Sequence, residues 1–257
     1  MAGTGEKIEM GGRNKGSFKH RKDPFPPLVS IITATFNAEK DLEQCILSVL
    51  EQDYPHFEFI IIDGGSTDGT LDIIKKYDDR IAHWISEPDN GVFDALNKGI
   101  KLAHGEWLFF LGADDRLADR NVLKRIFSKP RSSKLVYGNV RWGKAGKIYD
   151  GKYSKVKLFH QNICQQAIFY HRDLFRKLGG FDTEYCIAAD WVFNMKAFGQ
   201  RLTKPIFIDT IVADYSADGI STNQKDPVFS PDREKIYRQY LGKFALFRMK
   251  LRHFFRL

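Results

Sequence analysis

Two adjacent carboxylates close the apolar run Trp107-Leu-Phe-Phe-Leu-Gly-Ala-Asp114-Asp115, and they are the residues of this chain best suited to chemistry. Neighbouring acids repel each other unless a cation or donor groups lie close by. Hard oxygens of this kind suit Mg²⁺ or Mn²⁺, usually shared with substrate phosphates. Helix capping is the alternative, because acids also favour a helix start. Three further polar clusters precede this pair. Thr33-Ala-Thr35-Phe-Asn37 offers hydroxyls and an amide that either bond a ligand or cap a turn. Asp63-Gly-Gly-Ser66-Thr-Asp68 sets a carboxylate before a glycine pair, and glycines let a ligand approach the backbone closely. Asp94, Asn97 and Lys98 share one face if the chain is helical from Val92. A solvated charged face is the alternative there, although asparagine is a poor helix former and Asn97 asks for a reason.

The elements that must position these residues follow from periodicity. Strands are expected at Leu28–Thr35, Phe57–Asp63, Ile81–Ser86 and Trp107–Leu111, with helices at Glu39–Gln52, Thr67–Tyr77 and Val92–Ala103. Strands alternating with helices mean βαβ units and a mainly parallel sheet. All four polar clusters then fall at carboxyl ends of strands or just beyond, where ligands of open α/β sheets bind. After about residue 130 the rhythm changes. Lys134–Trp142 and Lys147–Tyr153 read as paired strands, Asp173–Leu178 and Ala189–Phe198 as helices, and Pro205–Tyr215 as a late strand.

Composition narrows the function classes. The 257 residues carry a net charge of +8, but residues 1–22 hold +4, residues 231–257 hold +6, and the body between them is −2. A near-neutral body argues against a nucleic-acid-binding domain, so no nucleic acid is expected as a partner. The three cysteines, Cys45, Cys164 and Cys186, lack metal-ligand spacing and suit reduced thiols in a cytoplasmic protein. Neither a signal peptide nor an apolar run long enough to span a bilayer is present. Residues 1–27 read as a disordered basic tail, 28–230 as one catalytic-type domain with halves at 28–117 and 118–230, and 231–257 as a basic amphipathic helix. In that helix Tyr240, Phe244, Phe247, Leu251 and Phe255 recur at helical spacing. This suits either the anionic inner face of the cytoplasmic membrane or packing onto the domain.

The glycine-rich stretch is neither a dinucleotide fingerprint nor a Walker loop. Instead, five motifs in order are similar to those of the family 2 glycosyltransferases. They are Ser30-Ile-Ile-Thr-Ala-Thr-Phe-Asn37, Ile61-Ile-Asp63-Gly-Gly-Ser-Thr-Asp-Gly-Thr70, Asp94-Ala-Leu-Asn97-Lys-Gly99, Leu111-Gly-Ala-Asp-Asp115 and Ala188-Ala-Asp190-Trp-Val-Phe193. The resemblance covers about residues 28–215 and is nearest to bacterial members that build surface polysaccharides. It implies an α/β GT-A fold and an inverting transfer of sugar from a nucleotide-sugar to a glycan or lipid-linked acceptor. Asp63 would hold the base, usually uracil, with Thr33, Thr35, Asn37 and Ser66 lining the same pocket. Asp94 and Asn97 would lie beside the nucleoside and phosphates. Asp114, with Asp115 in support, would bind the Mn²⁺ or Mg²⁺ that bridges the diphosphate, and Asp190 would deprotonate the acceptor hydroxyl.

The chain departs from the family pattern in two places. Gly112 stands at the first Asp of the family's Asp-x-Asp, which removes one contact to ribose or metal. Gln165 stands where close relatives often carry His. The Gln-x-x-Arg-Trp signature of processive synthases is absent, which implies addition of single sugars. Two other readings follow from these features: a catalytically impaired relative that only binds nucleotide-sugars, given Gly112, and a nucleic-acid binder acting through its basic tails.

Overall fold

The computed structural model describes residues 8–13, 25–130, 132–143, 145–149, 151–200, 203–216, 224–242 and 246–247. Its centre is a parallel quartet. Strand β2 (Val29–Thr35) pairs with β3 (Phe57–Asp63) on one side and β5 (Trp107–Phe110) on the other, and β3 pairs with β4 (His83–Ser86). The isoleucine-rich runs of β2 and β3 are buried along almost their whole length, as strands covered on both faces must be.

The covering helices can be assigned to faces from single side chains. Successive residues of a strand point to opposite faces. Thr33 on β2 touches the Cys45 sulfur of α1 (Leu42–Leu50), whereas its neighbour Ile32 meets Gly99 of α3 (Val92–Leu102). Helices α1 and α3 therefore cover opposite faces, and α2 (Thr70–Lys76) follows β3. Gly99 is required for this fit, since a Cβ there would sit 2.4 Å from the Ile32 side chain. Both threonine and isoleucine sites are fully buried, so Thr33 belongs to the core between β2 and α1.

Among the described residues one ten-stranded sheet runs through both expected halves of the domain. Beyond β5 it becomes mixed: β9 (Ile168–His171) is antiparallel to both β5 and β7 (Leu135–Trp142), β10 (Ile206–Tyr215) is parallel to β7, and the short β6 (Arg116–Leu117) is antiparallel to β10. Strand β8 (Lys147–Tyr149) forms the expected hairpin with β7 but ends at Tyr149. Aromatic rings fill this half, with Phe109 and Phe169 stacked at 4.4 Å across β5 and β9. Helices α4 (Val122–Ile126), α5 (Lys155–His160), α6 (Arg172–Leu178) and α7 (Ala189–Gly199) complete the layers. The expected helices and strands are present, most with shorter ends, β3 as expected and α6 and α7 one residue longer, while β6, β9, α4 and α5 escaped the sequence pattern because each is too short to show a period.

Where they are described, the expected N-terminal tail needs correction and the expected C-terminal helix takes the second of its two anticipated roles. Within 1–27, β1 (Glu9–Gly11) adds an antiparallel edge strand to β4, and Gly12 donates to Asp78, so this stretch is not a disordered tail. At the other end α8 (Phe229–Leu241) packs on the domain and buries Phe229, Ile236, Tyr237 and Leu241. Phe244, Leu251 and Phe255 of the anticipated amphipathic stripe lie outside the described residues. Among the described residues, no helix is long and apolar enough to cross a membrane.

Candidate functional site

The carboxyl edge of the parallel quartet opens into a cleft of about 1210 Å³. One wall comes from Thr35–Ala38 after β2, Asp89 and Gly91–Phe93 before and within α3, and Leu111–Asp114 after β5. The opposite wall comes from Asn162–Gln166, Ala188, Asp190 and Trp191, with residues of α8 behind them. The rings of Tyr149, Trp142 and Tyr215 close one end, with Trp142 lying 5.2 Å and 4.7 Å from its two neighbours.

The two acids after β5 divide the work between them. Asp114 is exposed on the cleft wall. Asp115 is 2% exposed and turns away from the cleft. Its two oxygens accept from Gln166 Nε2 at 2.6 Å and from the Ser216 backbone N–H at 2.8 Å, which ties β5 to β10 and to the turn at Gln165–Ala167. Burial first, and then the charge of Asp114, push the Asp115 carboxyl up to about 7. Asp115 thus acts as a clamp in this structure and does not line the cleft, whereas the sequence places it beside Asp114 at a metal. The same packing accounts for Gly112. A Cβ there would lie 2.5 Å from an Asp115 carboxylate oxygen and 2.9 Å from one of Asp114, so the folded-back acids occupy the space a side chain would need.

Among the described residues no cluster of three or more acidic, cysteine or histidine side chains could cage a metal. At the end of β5 the donor is one exposed carboxylate, Asp114, and Asp41 and Asp89 also line the cleft. That fits Mg²⁺ or Mn²⁺, which bind through one or two protein carboxylates and complete their shell with water and substrate phosphates.

The residues expected around the nucleotide separate into two groups. Thr35 and Asn37 line the cleft. The Thr35 hydroxyl is buried there without a partner, and an orphan of this kind is costly unless a ligand satisfies it. Asn37 takes the left-handed region at φ 49° and joins two loops: its N–H donates to Ser66 Oγ and its side-chain oxygen accepts from the Thr67 N–H. Asp63 is fully buried, and its oxygens accept from the Ser66 hydroxyl and N–H and from the Ser86 hydroxyl. It braces the β3 loop and does not line the cleft. Ser66 acts as the link between Asp63 and Asn37. Asp94 accepts from the Asn90 N–H at the start of α3, outside the cleft lining. Asn97 also has another task. Its amide donates to the Phe181 carbonyl and accepts from the Phe181 N–H, both at 2.8 Å. Its poor helix propensity is offset by a two-point clamp on the loop that leads towards α7. Thr33, Asp63, Ser66, Asp94 and Asn97, all expected around the nucleotide, hold supporting positions in this structure and do not line the cleft.

Asp190 faces the cleft from the first turn of α7. It does not cap that helix, whose N-cap is Ala188 without a side-chain hydrogen bond. One oxygen accepts from the Trp191 N–H and the other from Asn162 Nδ2, both at 2.7 Å. Asn162 in turn accepts from Asn194 Nδ2 at 2.9 Å, and Asn194 accepts from the Tyr170 hydroxyl at 2.8 Å. Every donor in this chain points towards the carboxylate. Burial nevertheless dominates and pushes the Asp190 carboxyl up to about 7, while Trp191 and Asn162 pull the other way. A carboxylate that exchanges its proton near neutral pH, with an open lone pair on each oxygen, is suited to general-base work. Asp226 holds this region from behind: one oxygen takes the Ile187 and Ala188 amides, the other those of Val228 and Phe229. The Asn162–Asn194–Tyr170 chain was not anticipated. Its one sequence signal is an asparagine at 194 among the apolar residues Val192, Phe193 and Met195.

The sequence profile of Glycosyl transferase family 2 matches residues 30–202. The chain belongs to this family. The glycosyltransferase is 37% identical over 204 residues to a "PGL/p-HBAD biosynthesis glycosyltransferase" of Mycobacterium bovis, covering 77% of this chain and 80% of that one. Over 105 residues, 40% of this chain and 42% of the relative, it is 44% identical to the "Putative teichuronic acid biosynthesis glycosyltransferase TuaG" of Bacillus subtilis. Among solved structures, S. aureus TarS superposes with a TM-score of 0.64 at 18% identity, over 83% of this chain and 70% of that chain. The mannosyltransferase PcManGT from Pyrobaculum calidifontis, in complex with GDP-Man and Mn²⁺, gives 0.63 at 20% identity over 92% and 77%. These likenesses confirm the α/β GT-A architecture expected of the glycosyltransferase.

Proposed function

We propose that this glycosyltransferase moves one sugar from a nucleotide-sugar, with a UDP-sugar as the first candidate, to a hydroxyl of a glycan or lipid-linked acceptor, with inversion, in surface polysaccharide biosynthesis. The observation that carries the reading is the pairing of two unlike carboxylates across one cleft: Asp114 exposed at the carboxyl edge of the sheet, and Asp190 facing it from α7 with its own donor chain. The names of the M. bovis and B. subtilis relatives support the pathway class. A TarS structure with UDP and the PcManGT complex with GDP-Man and Mn²⁺ support the donor class.

In this mechanism Thr35 and Asn37 meet the donor at the β2 edge, and the unpartnered Thr35 hydroxyl gains a partner on binding. Asp114 would hold a Mg²⁺ or Mn²⁺ ion, whose chemistry is to neutralise the charge that grows on the departing diphosphate. Asp190 accepts the proton of the acceptor hydroxyl as that oxygen attacks the anomeric carbon from the face opposite the diphosphate. Inversion follows from that single displacement. Asn162 holds the carboxylate oriented and favours its ionised form, which works against the burial that would keep it protonated.

A thermal-shift screen of UDP-, GDP- and dTDP-sugars with and without Mn²⁺ tests the reading. A ligand that binds the native state adds about 2.7 kcal/mol of stability at a hundredfold excess over its Kd and so raises the midpoint. One nucleotide class should stand out, and only with a divalent ion present. The absence of any nucleotide-dependent shift would sink the proposal.

A further inference from the structure

Arg233 projects from α8 into the cleft wall beside Asp190. Its guanidinium lies 5.0 Å from the centre of the Phe159 ring and 5.9 Å from that of Trp191, the residue next to Asp190. Rings hold a guanidinium in place without using its N–H donors. Among the described residues no carboxylate pairs with it. The acids of this wall are already engaged: Asp226 accepts four backbone amides, and Asp190 accepts from Trp191 and Asn162. A second cation, the exposed Lys225, lines the same wall.

A part-buried guanidinium that is pre-oriented, has no carboxylate partner among the described residues and faces a large cleft is built for an anion. Its planar fork matches the oxygens of a phosphate, and two cations on one wall suit a group carrying more than one negative charge. We propose that Arg233, assisted by Lys225, forms a phosphate-binding subsite on the α7–α8 wall of the cleft. Two sources offer this chemistry: the diphosphate of the donor, and a phosphate that links an acceptor to its carrier. The subsite rests on the reading of the cleft as the place where donor and acceptor meet.

The test titrates the full chain with inorganic pyrophosphate in the absence of divalent ions, by calorimetry. It compares wild type with R233Q, R233K and the remote control R176Q, whose side chain is 69% exposed and pairs with Asp173. Loss of one charge-assisted bidentate contact should weaken pyrophosphate about tenfold or more in R233Q. R233K should retain part of the affinity and R176Q all of it. The R233K arm keeps the test valid if R233Q folds poorly. Equal affinity in wild type, R233Q and R233K, or no pyrophosphate binding to wild type, overturns the subsite. A second titration adds UDP with Mn²⁺. If UDP displaces pyrophosphate and R233Q weakens UDP, the subsite takes the donor diphosphate. If pyrophosphate binds alongside UDP, it takes an acceptor phosphate. Failure of UDP to bind wild type would instead overturn the proposed donor, leaving the pyrophosphate result to decide the subsite alone.

Discussion

Replacing Asp190 by asparagine should abolish transfer and change stability with a sign that depends on pH. The carboxyl is held at about 7 in the folded state against 3.8 for an ordinary aspartate. Below pH 4 the group is protonated in both folded and unfolded chains and contributes nothing to the pH dependence. Between about pH 4 and 7 the folded state keeps a proton that the unfolded state has lost, so stability falls as pH rises, and above 7 the loss is complete. At about 1.4 kcal/mol per pH unit the full loss is about 4 kcal/mol, an upper bound because water in the cleft and local relaxation reduce it. Asparagine escapes that loss. It also turns one acceptor oxygen into an NH₂ facing either the Trp191 N–H or Asn162 Nδ2, at a cost of about 1–3 kcal/mol. The variant should therefore be less stable than wild type at pH 4 and more stable at pH 8. The difference between the two should climb by up to about 4 kcal/mol across that range, roughly 8–16 °C in Tm. Asp115 titrates in the same window but is present in both proteins and cancels. Thermal melts of both proteins from pH 4 to 8 provide the assay. A stability difference that does not change with pH would show that Asp190 is not held protonated by burial, and unchanged transfer by the variant would remove it as the base.

Other substitutions probe neighbouring parts of the argument. Asn162→Ala removes the side-chain donor to Asp190, so the acidic limb of the kcat/KM profile should move to higher pH and kcat should fall about tenfold or more, checked by pH-rate profiles. Asp114→Ala should eliminate the divalent-ion-dependent thermal shift with nucleotide-sugars. Its unliganded stability should stay within about 0.5 kcal/mol of wild type, because the side chain is exposed. Asn97→Ala leaves the Phe181 N–H and carbonyl unpaired and should cost about 2–4 kcal/mol in denaturant unfolding, with the donor-dependent shift preserved. A donor affinity that collapsed while stability held would return Asn97 to the nucleotide site.

The βαβ rhythm of residues 28–111 was legible because each strand is a long apolar run and each helix repeats its apolar face. Those signals depend only on neighbours in the chain. The five ordered motifs added the family and, with it, the architecture. What the motifs did not reveal is which polar residues face the cleft. Asp63 and Asn97 carry residue types a ligand would use, yet both are consumed in bracing loops, Asp63 by Ser66 and Ser86 and Asn97 by the Phe181 backbone. Asp114 and Asp115 are adjacent in sequence, and only the approach of Gln166 and Ser216 from distant parts of the chain buries one and leaves the other exposed. The donor chain behind Asp190 joins residues 162, 170, 190 and 194, and the guanidinium of Arg233 reaches the same wall from α8. By itself the sequence determined the order of strands and helices, the carboxyl edge at which polar loops gather, and the residue types available there. Tertiary structure alone decided which of those groups are spent on one another and which remain open to a substrate, because a hydrogen bond between residues far apart in the chain leaves no trace in local pattern.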